Sequence, residues 1–140
     1  MSEEIGAIIR KRMQEMNKGN VDELDELLAP DVVRHQPQSP DIRGLEATKQ
    51  LVRDLQTAFP DRHQVIDEII VEGDTSVVRM TFQGTNTGAH PTIPAPTGKQ
   101  VTLTMCWIGH WEGGKIVEDW MYMDMLGMMQ QLGVTPTPGQ

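Results

Sequence analysis

"KQVTLTMCWIGHWEGGKIVEDWMYM", residues 99–123, decides how the chain folds. Its odd positions Val101, Leu103, Met105, Trp107 and Trp111 are apolar, while Thr102, Thr104 and His110 occupy even ones. That alternation is the signature of a strand with one face buried. Glu112-Gly113-Gly114 supplies a tight turn, so the segment reads as an antiparallel hairpin. The return strand splits into Val117, Asp119, Met121 and Met123 on one face and Ile116, Glu118, Trp120 and Tyr122 on the other. Asp119 then stands alone on an apolar face. Strand pairing decides which set continues the lining begun by Trp107, and sequence leaves that open.

Upstream, "HQVIDEIIVEGDTSVVRMTFQGTNTG" forms a second hairpin turning at Glu72-Gly73-Asp74. Between the hairpins, "TNTGAHPTIPAPTG" carries three prolines and two glycines in 14 residues, too many for a strand interior and suited to a rim loop. Helices come first in the chain. Ile5, Ile8, Ile9, Met13 and Met16 share one helical face before Gly19 stops it. Asn20 can cap a short second helix bearing Val21, Leu24, Leu27 and Leu28, closed by Pro30. "DVVRHQP" reads as a strand, "QPQSPDIRG" as a turn or loop, and Gly44 to Phe59 as a third helix ended by "FPD". Asp124 caps a last helix, "MLGMMQQLG". Helices followed by long antiparallel strands make an α+β domain over residues 1–133, its N-terminal helices packed on a strongly curved, mainly antiparallel sheet around an apolar pocket. Residues 134–140 form a loose tail.

Composition narrows the function. A chain of 140 residues fits one domain and buries roughly 68–70% of its unfolded surface. A net charge of −8 and a pI near 4.8 argue against nucleic acid and anionic membrane partners, which need a basic stripe. The single cysteine, Cys106, forms neither an intrachain disulfide nor a zinc cluster and reads as a small core residue. Without an apolar signal core or an 18-residue span, the default location is cytoplasmic. The four histidines lack ligand spacing, no metal is expected, and there is neither a nucleophile elbow nor a phosphate loop.

The order of elements, with "GLEATKQLVRDLQTAFPD", "VEGDTSVVRMTFQGTNTG", "PTGKQV" and "GGKIVEDWMYMDMLGMMQQLG", resembles the SnoaL-like polyketide cyclases of the nuclear-transport-factor-2-like superfamily. The likeness runs from about Ile5 to Gly133. It is most specific in "AFPD", in the Gly-Thr-x-x-Gly before the Pro-rich loop, and in Gln131-Leu132-Gly133. The resemblance implies a cone-shaped α+β barrel with an apolar cavity, assembled as a dimer or tetramer, that closes a polyketide ring by intramolecular aldol condensation without a cofactor. Counted from "QLG" and "GKI", the family's acid/base aspartate falls at Met121 and its companion histidine at Trp107. Neither residue carries over.

Aldol closure takes a proton from carbon and stabilises an enolate, which a carboxylate in dry surroundings can assist. Asp119, two residues before Met121, is the candidate; the alternative is an aspartate paired with an arginine or backbone amide, or exposed at an oligomer surface. His35, placed with Val33 on one strand face, is its candidate helper. Trp107, Met105, Met121 and Met123 are expected to shape a pocket for a hydrophobic small molecule, with His90 touching the ligand from the rim loop. Glu118, Trp120 and Tyr122 suit a subunit interface, hence a homo-oligomer. The site is either an enzyme's or that of a non-catalytic binder using the same cavity. A buried, desolvated Asp119 favours the first, and one locked to arginine or facing solvent the second.

Overall fold

The computed structural model describes residues 2–37, 39–93 and 95–134. Of the expected tail, Val134 is described, its amide donating to Met129 O at 3.0 Å; the rest lies outside the described residues. The order is α1 (Ser2–Asn17), a 3-10 turn (Val21–Glu23), α2 (Leu24–Leu27), β1 (Leu28–Gln36), β2 (Ser39–Arg43), α3 (Leu45–Ala58), β3 (His63–Glu72), β4 (Thr75–Thr85), β5 (Gln100–Glu112), β6 (Lys115–Met123) and α4 (Met125–Leu132). The six strands form one open, curved sheet ordered β2-β1-β6-β5-β4-β3, antiparallel except where β1 lies parallel to β6. No helix of the described residues is long and apolar enough to cross a membrane.

Several expectations are corrected. "QPQSPDIRG" is not a loop throughout: its second half is β2, which pairs with β1, and Pro40 is tolerated because β2 is an edge strand. Pro30 does not end the second helix. The chain is already extended at Leu28, and Pro30 falls in the irregular stretch between the Leu28 and Val33 pairings with β6; Asn20 makes no side-chain cap. Val117 does not share a face with Asp119. Trp111 pairs with Ile116 and His110 with Glu118, so Val117 is the extra residue of a bulge that brings Ile116 inside and keeps Asp119 there.

The inner face follows from the register. Arg34, Asp119, Gly109 and Ser76 form one row across β1, β6, β5 and β4. Met121, Trp107, Val78 and Ile69 form the next; then come Met123, Met105, Met80 and Ile66, and last Leu103, Phe82 and Gln64. Against this face pack Ile9, Met13 and Met16 of α1, Leu24 and Leu27 of α2, and Val52 of α3, all buried. Cys106 alternates to the outer face and is half-buried rather than in the core.

Two segments that carry the family resemblance meet here. "AFPD", residues 58–61, grips "GTNTG", residues 84–88. Phe59 lies against Gly84, where a Cβ would come within 2.9 Å of the phenylalanine Cβ, and edge-on to Phe82 with centroids 5.3 Å apart. Gly88 N donates to Ala58 O at 3.2 Å, and a Cβ on Gly88 would overlap the Thr57 carbonyl, so only glycine fits. Asn86, fully buried, donates to Ala58 O and Gly88 O and accepts from the Thr97 amide and hydroxyl. At the other end of β5, the Trp111 indole donates to Ser76 Oγ at 2.9 Å.

Asp61 completes the grip by accepting from Thr85 N and Oγ1, both at 2.7 Å. The backbone bond first, then the hydroxyl, holds its pKa below the ordinary 3.8. A folded-state pKa below the unfolded one contributes stability above the unfolded value, lost as pH falls through the folded one. Asp61→Ala is therefore expected to lower Tm at pH 7, with the gap to the parent narrowing below about pH 3.8. Thermal melts by circular dichroism from pH 2 to 7 check this; a gap constant over that range would contradict it.

Candidate functional site

Between the helices and the curved sheet lies a cavity of about 410 Å³. Its wall is largely apolar, and every methionine after Met1 lines it. Unbranched thioethers conform to irregular or flat ligands, so this wall is adaptable. The expected Trp107, Met105, Met121, Met123 and His90 all border it. The polar groups on the wall are few, chiefly Arg34, Gln36, Arg62, Gln64 and His90. No Asp or Glu of the described residues lines it.

Asp119 is fully buried but sits behind the wall. Arg34 Nε lies 3.1 and 3.2 Å from its two oxygens, Arg34 Nη2 donates to Oδ2 at 2.7 Å, and the Trp107 indole donates to the same Oδ2 at 2.8 Å. This is why a carboxylate stands among methionines: it is the counter-ion of an arginine on the neighbouring strand. Arg34, which sequence reasoning missed, takes the cavity-facing place. Its only signal was the alternation Val32, Arg34, Gln36, and nothing in the chain foretold that β1 would run parallel beside β6.

His35 is not brought to Asp119. One residue beyond Arg34, it points to the outer face of the sheet, away from the cavity. There Nδ1 contacts Asp41 Oδ1 at 2.9 Å, Nε2 contacts Glu118 Oε2 at 2.7 Å, and the ring stacks on Trp120 at 5.1 Å. Glu118 first, then Asp41, raises its pKa above 6.5. His110 lies edge-on to the other side of Trp120 at 4.7 Å, and Tyr122 next along is 44% exposed. His63 and His110 are both exposed.

His90 comes from the rim loop, where Nδ1 accepts from Thr92 N at 3.1 Å. Burial lowers its pKa below 6.5, with Asp54 opposing. The ring is thus neutral at pH 7, and the bond to Nδ1 leaves the hydrogen on Nε2. Nearby, α4 is docked by its own side chains. Asp124 Oδ1 accepts from Gly127 N at 2.8 Å, and the Gln131 amide exchanges bonds with Thr102 N and O at 2.8 and 2.9 Å, like one more strand residue beside β5. Met125, Met128 and Met129 are thereby held over the cavity. Among the described residues, no three His, Cys, Asp or Glu are grouped to hold a metal ion.

Removing one partner of a buried ion pair strands the other. Asp119→Leu is expected to destabilise the protein by about 3–5 kcal/mol in urea unfolding, while the double variant Asp119→Leu/Arg34→Met recovers most of that loss. Equal losses in the single and double variants would contradict the assignment.

The profile of the SnoaL-like polyketide cyclase family matches residues 7–132. Among solved structures, TsrD from Streptomyces laurentii is 30% identical over 92% of this chain and 97% of its own, with a TM-score of 0.79. IdmH from Streptomyces antibioticus, a candidate polyketide cyclase, is 29% identical over 93% of this chain and 99% of its own, with a TM-score of 0.78. AclR from Streptomyces galilaeus, at 23% identity over 98% of this chain and 89% of its own, shares the fold with a TM-score of 0.85. No curated protein matches the sequence significantly. With the curved sheet and the apolar cavity in place and the family profile covering residues 7–132, the chain belongs to the SnoaL-like polyketide cyclase family.

Proposed function

We propose that the cavity carries out cofactor-independent chemistry on a hydrophobic carbonyl compound, an aldol-type ring closure or a related isomerisation. The observation that carries this reading is the pairing of an adaptable apolar wall with two fixed oxygen-binding groups: Arg34, locked by Asp119, and the Nε2–H of neutral His90. They belong to different ends of the sheet, Arg34 in the row of Gly109 and His90 in the loop after β4. A β-dicarbonyl compound supplies its own enol. When the enol carbon bonds to a second carbonyl carbon, the carbon–oxygen π bond breaks, the new alkoxide takes the proton that leaves the enol oxygen, and no other reactant is consumed. The wall orients the chain and excludes water, and the two donors stabilise charge on oxygen as it shifts. Asp119 acts here as a positioning residue.

The test is ring closure of an anthraquinone bearing a β-diketone side chain and a neighbouring ketone, followed by absorbance. His90→Gln is expected to lower kcat/KM by about 10²-fold with the fold retained, the usual cost of losing one oxyanion donor. Tight binding without turnover above the buffer rate would favour the second reading, a non-catalytic binder. That reading draws on the absence of Asp and Glu from the described wall and on the locking of Asp119 to Arg34.

The outer face around Trp120 and Tyr122 fits association with a second copy of the chain. Light scattering at micromolar concentration is expected to give at least a dimer, and Tyr122→Glu to weaken it; a monomeric parent would exclude that interface.

A further inference from the structure

Three basic side chains are buried among the described residues: Arg34, Lys49 and Arg62. Arg34 has Asp119, and Lys49 Nζ has Asp22 and Asp25, each at 2.9 Å. Arg62 is 9% exposed and makes no ion pair among the described residues. Among the described residues its one side-chain hydrogen bond runs from Nη2 to Met16 O at 3.4 Å, near the outer limit for such a bond. Its sequence neighbour Asp61 is engaged with Thr85. Arg62 is not needed to dock the end of α1, because Asn17 already exchanges two bonds with the Gln64 backbone, at 2.8 and 2.9 Å. A guanidinium has five donors and keeps its charge at neutral pH, so most of this one's bonding capacity is unused. Arg62 lines the cavity beside Gln64.

We infer that Arg62 is the anion-binding end of the cavity, and that the molecule held there is a monoanionic acid: a flat apolar body ending in one carboxylate. A buried charge is retained where a partner of opposite sign offsets its desolvation, and the described residues supply none here. The charge count selects a monoanion. Arg34 is neutralised by Asp119, the His90 ring is neutral, and Arg62 is left with a single positive charge. The planar fork matches the two oxygens of a carboxylate, with the Gln64 amide alongside. The body then extends over Phe82, Met80 and Met105, one inner row after another. For the activity proposed above this specifies the substrate as a free acid rather than its ester. The inference rests on that reading only in taking the cavity as the ligand site, and it holds for an enzyme or a binder.

The experiment compares anthraquinone-2-carboxylate with its methyl ester at pH 7, by calorimetry and by quenching of tryptophan fluorescence. The acid is expected to bind about tenfold or more tightly than the ester. Arg62→Gln is expected to abolish that preference while leaving the ester within about twofold of its parent affinity. Equal binding of acid and ester by the parent, or a preference that survives Arg62→Gln, overturns the anion site and leaves the cavity reading standing. Failure of both compounds to bind overturns both. Independently of any ligand, Arg62→Met is expected to match or exceed the parent's Tm, since no ion pair is lost. A fall of several degrees would make Arg62 a structural cap of α1 and overturn the inference.

Discussion

The contact between Asp119, Arg34 and Trp107 joins three strands at one point inside the fold. Burying a carboxylate or a guanidinium alone is costly, and burying them together is tolerable only when nearly every lone pair and proton is engaged. Here one carboxylate receives both forks of the arginine and the indole N–H. The pair therefore specifies where β1 lies along β6, the one parallel pairing in the sheet, and which way the Trp107 ring turns. The bulge at Val117 serves the same end, because without the extra residue Ile116 and Asp119 would face opposite sides.

The opposite end is organised by backbone and amide bonds rather than charge pairs. "AFPD" and "GTNTG" interlock through two close glycine approaches, the buried Asn86 and the Asp61 carboxylate. The rim loop that carries His90 thus begins from a rigid base. Gln131, standing in for a strand residue, sets α4 beside it. Each of these residues belongs to a segment on which the family resemblance was drawn, and each has a packing or hydrogen-bonding reason for its identity.

The cavity is electrically asymmetric as a result. The cation beside Asp119 is matched within the chain, and Arg62, just before β3, has no counter-ion among the described residues. Where the family resemblance places an aspartate and a histidine, this chain has Met121 and Trp107, both on the wall. The buried acid sits two residues earlier, behind that wall. The chemistry left to the surface is donation by Arg34, Arg62 and His90, which suits a ligand rich in oxygen at its ends and apolar between.

Much of this was legible in the chain. Alternation in residues 99–123, the polar turns, the helical spacing of Ile5 through Met16 and the Asp124 cap are local patterns, governed by periods of 2 and 3.6 and by turn chemistry, and they determined most of the element order and the inward odd face of β5. The partner of Asp119 was not legible. It lies 85 residues away on a strand whose parallel placement comes from closing the sheet. His35 was placed on the wrong side for a related reason: alternation says which residues share a face but not which face meets the core, and β1 turns Val32, Arg34 and Gln36 inward. Arg62 gave no sign at all, since it follows the "FPD" that ends the third helix and is buried only when α1 and the sheet close around it. Sequence determined most of the elements and the fold class because these depend on neighbours in the chain. Tertiary structure alone decided which charges are paired and which is left bare, because that depends on distance in space and on exclusion of water.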